Sequence, residues 1–173
     1  MLFLILILVI LTTILAIYFV IKLFFFHVPF VPTPKIVRKK MIAAAEIRAG
    51  QKIWELGSGT GDILFDAEKS CPRAEFRGFE ILRPLIWISK IRKFFRRSKI
   101  KFFCADFFQQ NFSDVDVVFC YLWPSIMEKI FREKFPEMKK NAKIISHGFP
   151  IKNFSAEKKI EIGRAKIWIY RKK

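Results

Sequence analysis

The segment from Glu55 to Asp62, E-L-G-S-G-T-G-D, has the composition of a ligand-binding turn. Its three glycines, Gly57, Gly59 and Gly61, alternate with other residues, and a carboxylate lies on each side. Glycine lets the chain turn tightly and brings the backbone close to a ligand. A dinucleotide fingerprint reads G-x-G-x-x-G and receives pyrophosphate. Here the third glycine comes one position early, and the flanking acids favour a nucleotide ligand with positive charge, such as S-adenosylmethionine.

Acids also end the next two strand-like segments. Glu80 closes "RGFE", where a carboxylate can accept hydrogen bonds from both ribose hydroxyls. Asp106 and Phe107 follow the third segment, and an acid beside an aromatic ring can hold an adenine by hydrogen bonding and stacking. Three successive strands that each end in an acid predict one binding site at the carboxyl edge of a sheet. An NAD-dependent oxidoreductase is a distant alternative because of the glycine spacing.

The elements that must position these residues alternate along the chain. We predict strands over 52–56, 74–80, 100–105, 116–123, 142–149, 158–162 and 165–171, and helices over 35–47, 61–70, 82–96 and 124–138. Several of the first five strands are too apolar to face water, which is typical of a parallel sheet covered on both faces. Only Gly163 and Arg164 separate the last two strands, so these form an antiparallel hairpin. The predicted fold is α/β, a Rossmann-like, mostly parallel seven-stranded sheet with a C-terminal antiparallel hairpin.

An uncharged apolar run precedes this fold. Residues 2–21 match the roughly 20 residues that a transmembrane helix needs. A retained anchor is favoured over a signal peptide because no Lys or Arg precedes the run and no small-residue cleavage site follows it. Basic residues after the run predict a single-pass protein with a cytoplasmic body: Lys22, Lys35, Arg38, Lys39 and Lys40. The predicted domains are an anchor over 1–26, a Pro-rich linker over 27–35 and a ligand-binding domain over 36–173.

The chain is strongly basic, with a formal net charge of +17. Three explanations compete: attraction to anionic lipid, attraction to nucleic acid, and a general amino-acid bias of the source proteome. Charge is densest over 90–101, where Lys90, Lys93 and Arg97 share a helical face and Phe94 and Phe95 are expected to turn toward the sheet. With an anchor present, lipid is the favoured partner, a solvated helix face is the alternative, and no nucleic acid is expected.

The cysteines and histidines give no sign of a metal site. Cys71, Cys104 and Cys120 are far apart and lack C-x-x-C spacing, and the two histidines do not cluster with them. A cytoplasmic location makes disulfides improbable. Cys104 and Cys120 fall in apolar strand-like runs, so we expect both to be small core residues.

The series E-L-G-S-G-T-G-D, then F-E, then A-D-F resembles class I (seven-β-strand) S-adenosylmethionine-dependent methyltransferases, and the terminal hairpin fits that class. "VPFVPTP" before a helix, "YLWP" after the fourth strand and "SHGFPI" in the fifth resemble one subgroup. These are the small membrane-anchored protein-lysine methyltransferases related to the adenine nucleotide translocase and ATP synthase c-subunit lysine methyltransferases, with their prokaryotic relatives. The resemblance covers residues 28–173 and implies that residues 36–173 are a methyltransferase domain.

This resemblance implies S-adenosylmethionine as the cofactor and assigns roles to individual residues. Glu55 and the glycines would hold its methionine end, Glu80 its ribose, and Asp106 with Phe107 its adenine, while Thr33 would help to close the site. The implied cofactor-binding residues are Thr33, Glu55, Gly57, Ser58, Gly59, Gly61, Glu80, Asp106 and Phe107. The chain departs from the subgroup at Thr60 and Asp62, where Asp and Arg are usual, and at Gly148, where an acid often stands.

Methyl transfer is an in-line displacement, so the protein mainly positions the nucleophile and excludes water. Tyr121, Trp123 and Pro124 follow the fourth strand and are the expected substrate-positioning residues. The expected function is methylation of a lysine in a membrane-associated protein. A lipid, quinone or other small-molecule substrate stays open, as does a non-enzymatic membrane-surface module with a vestigial nucleotide site.

Overall fold

The structure is a computed structural model that describes residues 2–25, 31–151 and 154–173. The chain divides into two compact units, Met1–Pro32 and Thr33–Lys173. The first contains helix α1 (Leu2–Phe25), in which the hydroxyls of Thr12 and Thr13 donate to backbone carbonyls one turn earlier. By length and composition its segment Phe3–Val20 is able to cross a membrane, a test that signal sequences near an N-terminus also pass.

The second unit begins at the predicted Pro-rich linker. That linker, residues 27–35, lies outside the described residues as far as residue 30. Residues 31–34 form no helix or strand, and α2 (Lys35–Ala45) starts directly after Pro34. Val37, Met41 and Ala45 recur at four-residue spacing and form the buried face of α2.

A seven-stranded sheet confirms the predicted architecture. Its strands are β1 (Lys52–Leu56), β2 (Glu75–Glu80), β3 (Lys101–Cys104), β4 (Val117–Cys120), β5 (Lys143–His147), β6 (Lys158–Ile162) and β7 (Ala165–Arg171). The spatial order is β3-β2-β1-β4-β5-β7-β6. Strands β1 to β5 pair in parallel, and β7 pairs antiparallel with both β5 and β6. The remaining helices are α3 (Asp62–Ser70), α4 (Arg83–Arg96) and α5 (Pro124–Glu133).

Apolar side chains cover both faces of the sheet. Alternate strand residues point to opposite faces, so Ile53 packs in one cluster with α2 and α3 while Trp54 packs in the other with α5. The strands therefore read as continuous apolar runs, as in other parallel sheets buried between helices.

Two element ends differ from the sequence prediction by three residues or more. Strand β4 ends at Cys120 rather than 123, because its partner β1 ends opposite it at Leu56, where the glycine turn begins. Helix α5 ends at Glu133 rather than 138, because Pro136 disfavours a helical conformation at the residue before it.

Three side chains that were predicted to be buried are exposed. Phe94 and Phe95 were expected to face the sheet but are 78% and 79% exposed, because Leu85, Ile86 and Ser89 form the buried face of α4. Cys104 was expected in the core but is exposed, because it ends β3, which is an edge strand. Cys120 is buried as predicted, and burial raises the pKa of its thiol to about 12.

Candidate cofactor and substrate site

The site lies where the strand order reverses. Beginning at β1, the chain adds β2 and β3 on one side and then returns to add β4 on the other. Ligands of open α/β sheets bind at such a switch point, beyond the carboxyl ends of the strands. The register places Leu56 beside both Phe79 and Cys120, so the segments that follow β1, β2 and β4 leave the sheet side by side.

The glycine turn runs from the end of β1 into α3. Gly57, Gly59 and Gly61 all have positive φ, of 69°, 52° and 81°. A Cβ built on Gly61 would lie 2.5 Å from Cζ of Phe102, so glycine is required there for space as well as for conformation. The N–H groups of Gly57 and Ser58 both donate to the Phe79 carbonyl at 2.9 Å, which fixes the turn over β2.

Glu80 ends β2 and fastens the turn from the other side. Its Oε2 accepts a hydrogen bond from the Gly59 N–H at 3.0 Å, and its Oε1 accepts from Ile81 and Leu82 at 2.8 and 3.0 Å. Glu80 is buried. Each carboxylate oxygen has two lone pairs, so Oε2 keeps acceptor capacity toward a ligand.

Glu55 is a buried carboxyl group with one oxygen unused. The backbone N–H of Leu64 donates to its carboxylate. Its Oε2 has no hydrogen-bond partner within the residues that the structure describes. Burial raises the pKa of Glu55 well above the ordinary value, and repulsion from Asp62 and Glu80 acts in the same direction. A cationic group that entered here would therefore find a carboxyl group in need of a partner.

Asp62, the acid on the other side of the glycine turn, is paired within the protein. Its Oδ1 accepts from Nη2 of Arg92 at 2.7 Å, and Nη1 of Arg92 donates to the Thr60 carbonyl at 2.7 Å. Burial acts to raise the pKa of Asp62, but the hydrogen bond and charge of Arg92 outweigh it and leave that pKa lowered. Asp62 and Arg92 thus link the glycine turn to α4.

The remaining predicted cofactor residues come from the turn itself, from the end of β3 and from the segment before α2. Asp106 is exposed and caps a short 3-10 turn (Phe107–Gln109), with Oδ1 accepting from the Phe108 N–H at 2.9 Å. Thr33 is buried at the start of α2, where its carbonyl accepts from Arg38 at 2.7 Å. The Ser58 hydroxyl points over β2, 2.8 Å from the position of a Cβ on Gly78, and has no partner among the described groups.

A small aromatic slot follows β4 and β5. The centroids of the Tyr121 and His147 rings are 4.1 Å apart. Gly148 has a φ of 102°, and a Cβ built on it would lie 3.2 Å from Cε2 of Tyr121. Trp123 is exposed at the N-cap of α5, and Pro124 is the first residue of that helix. The structure thus brings Tyr121 and Trp123 to the same edge as the glycine turn.

The sequence did not identify His147, Arg38 or Arg92 as residues of the site. His147 is buried at the end of β5, its Nδ1 has no partner within the described residues, and burial lowers its pKa so that it is neutral. The sequence feature that could have indicated it is "SHGF" at the end of an apolar strand. Arg38 pairs with Asp66 at 2.8 Å. Neither Arg38 nor Arg92 differs in sequence from the surface cations around it.

These groups fit S-adenosylmethionine. An unpartnered buried carboxyl oxygen on Glu55 suits an ammonium, the free capacity of Glu80 suits ribose hydroxyls, and the glycines leave the backbone bare beside them. The fold and this site define a class I S-adenosylmethionine-dependent methyltransferase.

Comparison with known proteins gives the family. The family model of the ANTKMT methyltransferase domain matches residues 55–158, and the chain belongs to that family. It is 27% identical to a protein-lysine N-methyltransferase of Saccharolobus islandicus over 138 residues, which is 79% of this chain and 86% of that protein. It is 25% identical to the human ATP synthase c-subunit lysine N-methyltransferase over 144 residues, which is 82% of this chain and 60% of the human protein.

A solved structure shows the same fold. An RNA methyltransferase of Salinibacter ruber in complex with S-adenosyl-L-homocysteine superposes with a TM-score of 0.77 at 24% identity, over 82% of this chain and 93% of that chain. The predictions of fold, family, enzyme class and S-adenosylmethionine as cofactor are confirmed.

Proposed function

We propose that this methyltransferase is anchored in a membrane and methylates a lysine side chain of a membrane-associated protein. The carrying observation is the contact between the rings of Tyr121 and His147 at the carboxyl ends of β4 and β5, with exposed Trp123 two residues further along the chain. The names of the relatives agree with it, since those of Saccharolobus islandicus and human are protein-lysine methyltransferases.

The cofactor contacts in this proposal follow the polar groups of the site. Glu55 receives the ammonium at the methionine end, beside Gly57, Gly59 and Gly61. Glu80 accepts from the ribose hydroxyls, Asp106 accepts from the adenine amine through its second oxygen, and Phe107 lies against the base. Thr33 closes the site from the start of α2, and Ser58 offers its free hydroxyl.

When bound, the cofactor supplies a methyl group already activated on a sulfonium. The residues of this chain then have to deliver a neutral amine in line with the carbon–sulfur bond. Apolar, aromatic surroundings lower the pKa of an incoming lysine ammonium by desolvation, so that its proton leaves to solvent. Neutral His147 adds no repelling charge behind Tyr121. In-line attack by that amine on the methyl carbon would form the nitrogen–carbon bond as the carbon–sulfur bond breaks.

The membrane location rests on α1 and on the charge around it. Phe3–Val20 has the length and apolar composition of a span. Basic residues follow it, which favours a cytoplasmic body. Lipid is then in contact with the anchor and near the basic segment 90–101. A reporter fused after Lys173 should give a cytoplasmic signal, and a signal from the opposite side would refute this orientation.

Labelled cofactor added to membranes from the source cells tests the substrate. We expect label on a membrane protein, with mass spectrometry locating the methyl on lysine. Tyr121→Ala should lose the label while cofactor affinity stays, whereas Gly59→Arg should lose both. Label in the organic extract instead of protein would favour the lipid or quinone alternative. An absence of any acceptor would contradict the enzyme's proposed role.

A further inference from the structure

Helix α4 has two apolar faces, and only one of them is covered. Leu85, Ile86 and Ser89 are buried against the sheet. Five large apolar side chains occupy the opposite side: Trp87, Ile88, Ile91, Phe94 and Phe95, which are 70%, 44%, 58%, 78% and 79% exposed. At 3.6 residues per turn these five positions fall within an arc of about 120°, centred on Ile91. They form one continuous stripe, which we call the α4 stripe.

Such a stripe is unusual on a protein surface. Single exposed apolar residues are ordinary, but a contiguous patch marks a binding surface. Phe94 and Phe95 contact each other edge to face, with ring centroids 5.6 Å apart. A helix that is apolar on the side away from its own core requires a second apolar medium to cover it.

The charged residues of the segment that contains the stripe are all of one sign. Residues 81–105 contain eight Lys and Arg and no Asp or Glu. By helical spacing Arg83, Lys90 and Arg97 flank one border of the stripe, and none of the three pairs with a carboxylate in the described part of the chain. Arg92 and Arg96 instead lie over the ring of Phe65, at 5.1 and 4.7 Å from its centroid.

We infer that the α4 stripe lies in the surface of an anionic lipid bilayer. A helix with Trp and Phe on one side and Lys and Arg along its border has the composition of interfacial helices, whose apolar face enters the boundary between headgroups and acyl chains. The unpaired cations then meet anionic headgroups. A soluble protein partner would have to supply many carboxylates around an apolar groove, whereas an anionic bilayer presents both components together.

This inference rests on the proposed membrane location and deepens it. The stripe begins at the site, because α4 starts three residues after Glu80, and Ile81 between them is also exposed. A bilayer in contact with the stripe would therefore hold the rim of the cofactor site near the headgroups. A lysine at the surface of a membrane protein would be within its reach.

Quenching of Trp87 fluorescence tests this directly. The full chain is reconstituted in vesicles of phosphatidylcholine with or without phosphatidylglycerol, in which part of the lipid carries brominated acyl chains. We expect quenching that is strongest in the anionic vesicles, and we expect Trp87→Phe to remove most of it. Trp168→Phe, on β7 at the other side of the sheet, is the matched control and should leave the quenched fraction unchanged.

A second variant separates lipid contact from folding. Ile91→Asp with Phe94→Asp replaces exposed side chains, so the thermal midpoint should stay while Trp87 quenching is lost. Equal accessibility of Trp87 to iodide with and without vesicles would overturn the inference. Protection of Trp87 in detergent together with a doubled mass would also overturn it, in favour of a second copy of the chain. None of these readouts depends on methyl transfer, so failure of the proposed substrate would not be mistaken for failure of this surface.

Discussion

Buried polar groups differ in their hydrogen bonding between the amino ends and the carboxyl ends of the parallel strands. At the amino end of β5, Lys143 is buried and bonded, with Nζ donating to Glu46 at 2.6 Å and lying 3.4 Å from the carbonyls of Ala44 and Ala45. At the carboxyl ends, a Glu55 oxygen, the Ser58 hydroxyl and His147 Nδ1 are buried with no partner among the described residues.

This difference suggests that the amino end contributes mainly to stability and the carboxyl end mainly to ligand binding. A buried polar atom without a hydrogen bond costs about 1–3 kcal/mol, so folding alone favours the arrangement at the amino end. We interpret the three unpartnered groups at the carboxyl ends as kept for a ligand, whereas Trp54 Nε1, also without a partner among the described residues, lies in the middle of β1. We therefore expect substitutions at the carboxyl end to change binding and turnover, and substitutions at the amino end to change stability.

The largest effect should come from Gly61→Ala. A Cβ there would meet Phe102 at 2.5 Å in a backbone of positive φ, so the turn must move away from the cofactor. We expect S-adenosylhomocysteine affinity to fall by more than about 100-fold, since small misplacements have effects of that size. Isothermal calorimetry measures the affinity, and circular dichroism verifies the fold.

Gly163→Ala is the matched control for that substitution. Gly163 also has positive φ, of 56°, but nothing lies within 4 Å of its Cβ position. It belongs to the β6–β7 hairpin, so affinity should stay within about twofold although some backbone strain is added. Equal losses from both variants would mean that general destabilisation, and not the turn, controls binding.

His147→Ala should have the next largest effect, on turnover. It removes the ring that packs 4.1 Å from Tyr121 and so loosens the slot. We expect the rate of methyl transfer to fall by about 10- to 100-fold with cofactor affinity nearly unchanged. Single-turnover kinetics with the identified acceptor measures the rate. Parallel losses of rate and affinity would place His147 in the cofactor pocket instead.

Cofactor affinity should rise with pH because of Glu55. Burial holds its pKa well above the ordinary value, so the free protein carries this proton, while a bound ammonium favours the ionised form. Binding then releases a proton, and affinity should increase by up to about tenfold per pH unit below the raised pKa. Calorimetry in buffers of different ionisation enthalpy counts the protons. Glu55→Gln should flatten the dependence, and an unchanged slope in that variant would assign the proton to another group.

The smallest effects should be those on stability, with opposite signs at the two ends. The folded pKa of Glu55 is raised, so its contribution to stability is lost as pH rises above the ordinary carboxyl value. Glu55→Gln should therefore raise the thermal midpoint near neutral pH, by about 3 °C. Lys143→Met leaves Glu46 and the end of α2 without their donor and should lower the midpoint.

The stability contributed by the two ends should also depend on pH in opposite directions. The hydrogen bond from Lys143, followed by its charge, lowers the pKa of Glu46, so that pair stabilises the fold above the ordinary carboxyl pKa and is lost as pH falls through the lowered value. Differential scanning calorimetry of both variants across pH checks these signs. The same sign for both variants would remove the contrast between the two ends.

Most of the fold followed from the sequence because it depends on local patterns. Strand β1 has the predicted bounds 52–56, and the short Gly163-Arg164 link identified the hairpin. The site was predictable as far as the acids and glycines at strand ends, although the roles of single residues stay predictions.

The features that the sequence did not predict depend on contacts between elements that are distant along the chain. Arg92 reaches Asp62 across 30 positions, and no local pattern distinguishes it from neighbouring cations. Helical periodicity identifies both apolar sides of α4 but not which of them the sheet covers, so Phe94 and Phe95 were placed on the wrong side. His147 is recognisable only when β5 is known to lie beside β4.

Hydrogen exchange on the full chain, with and without S-adenosylhomocysteine, tests the contrast between the two ends most directly. The account predicts added protection over 55–64, 79–83 and 104–109, at the carboxyl ends of β1, β2 and β3. It predicts no change over 44–52 and 139–143, at the amino end. Protection confined to the amino-end segments, or spread evenly over both, would contradict the claim that the unpartnered groups at the carboxyl end are kept for the cofactor.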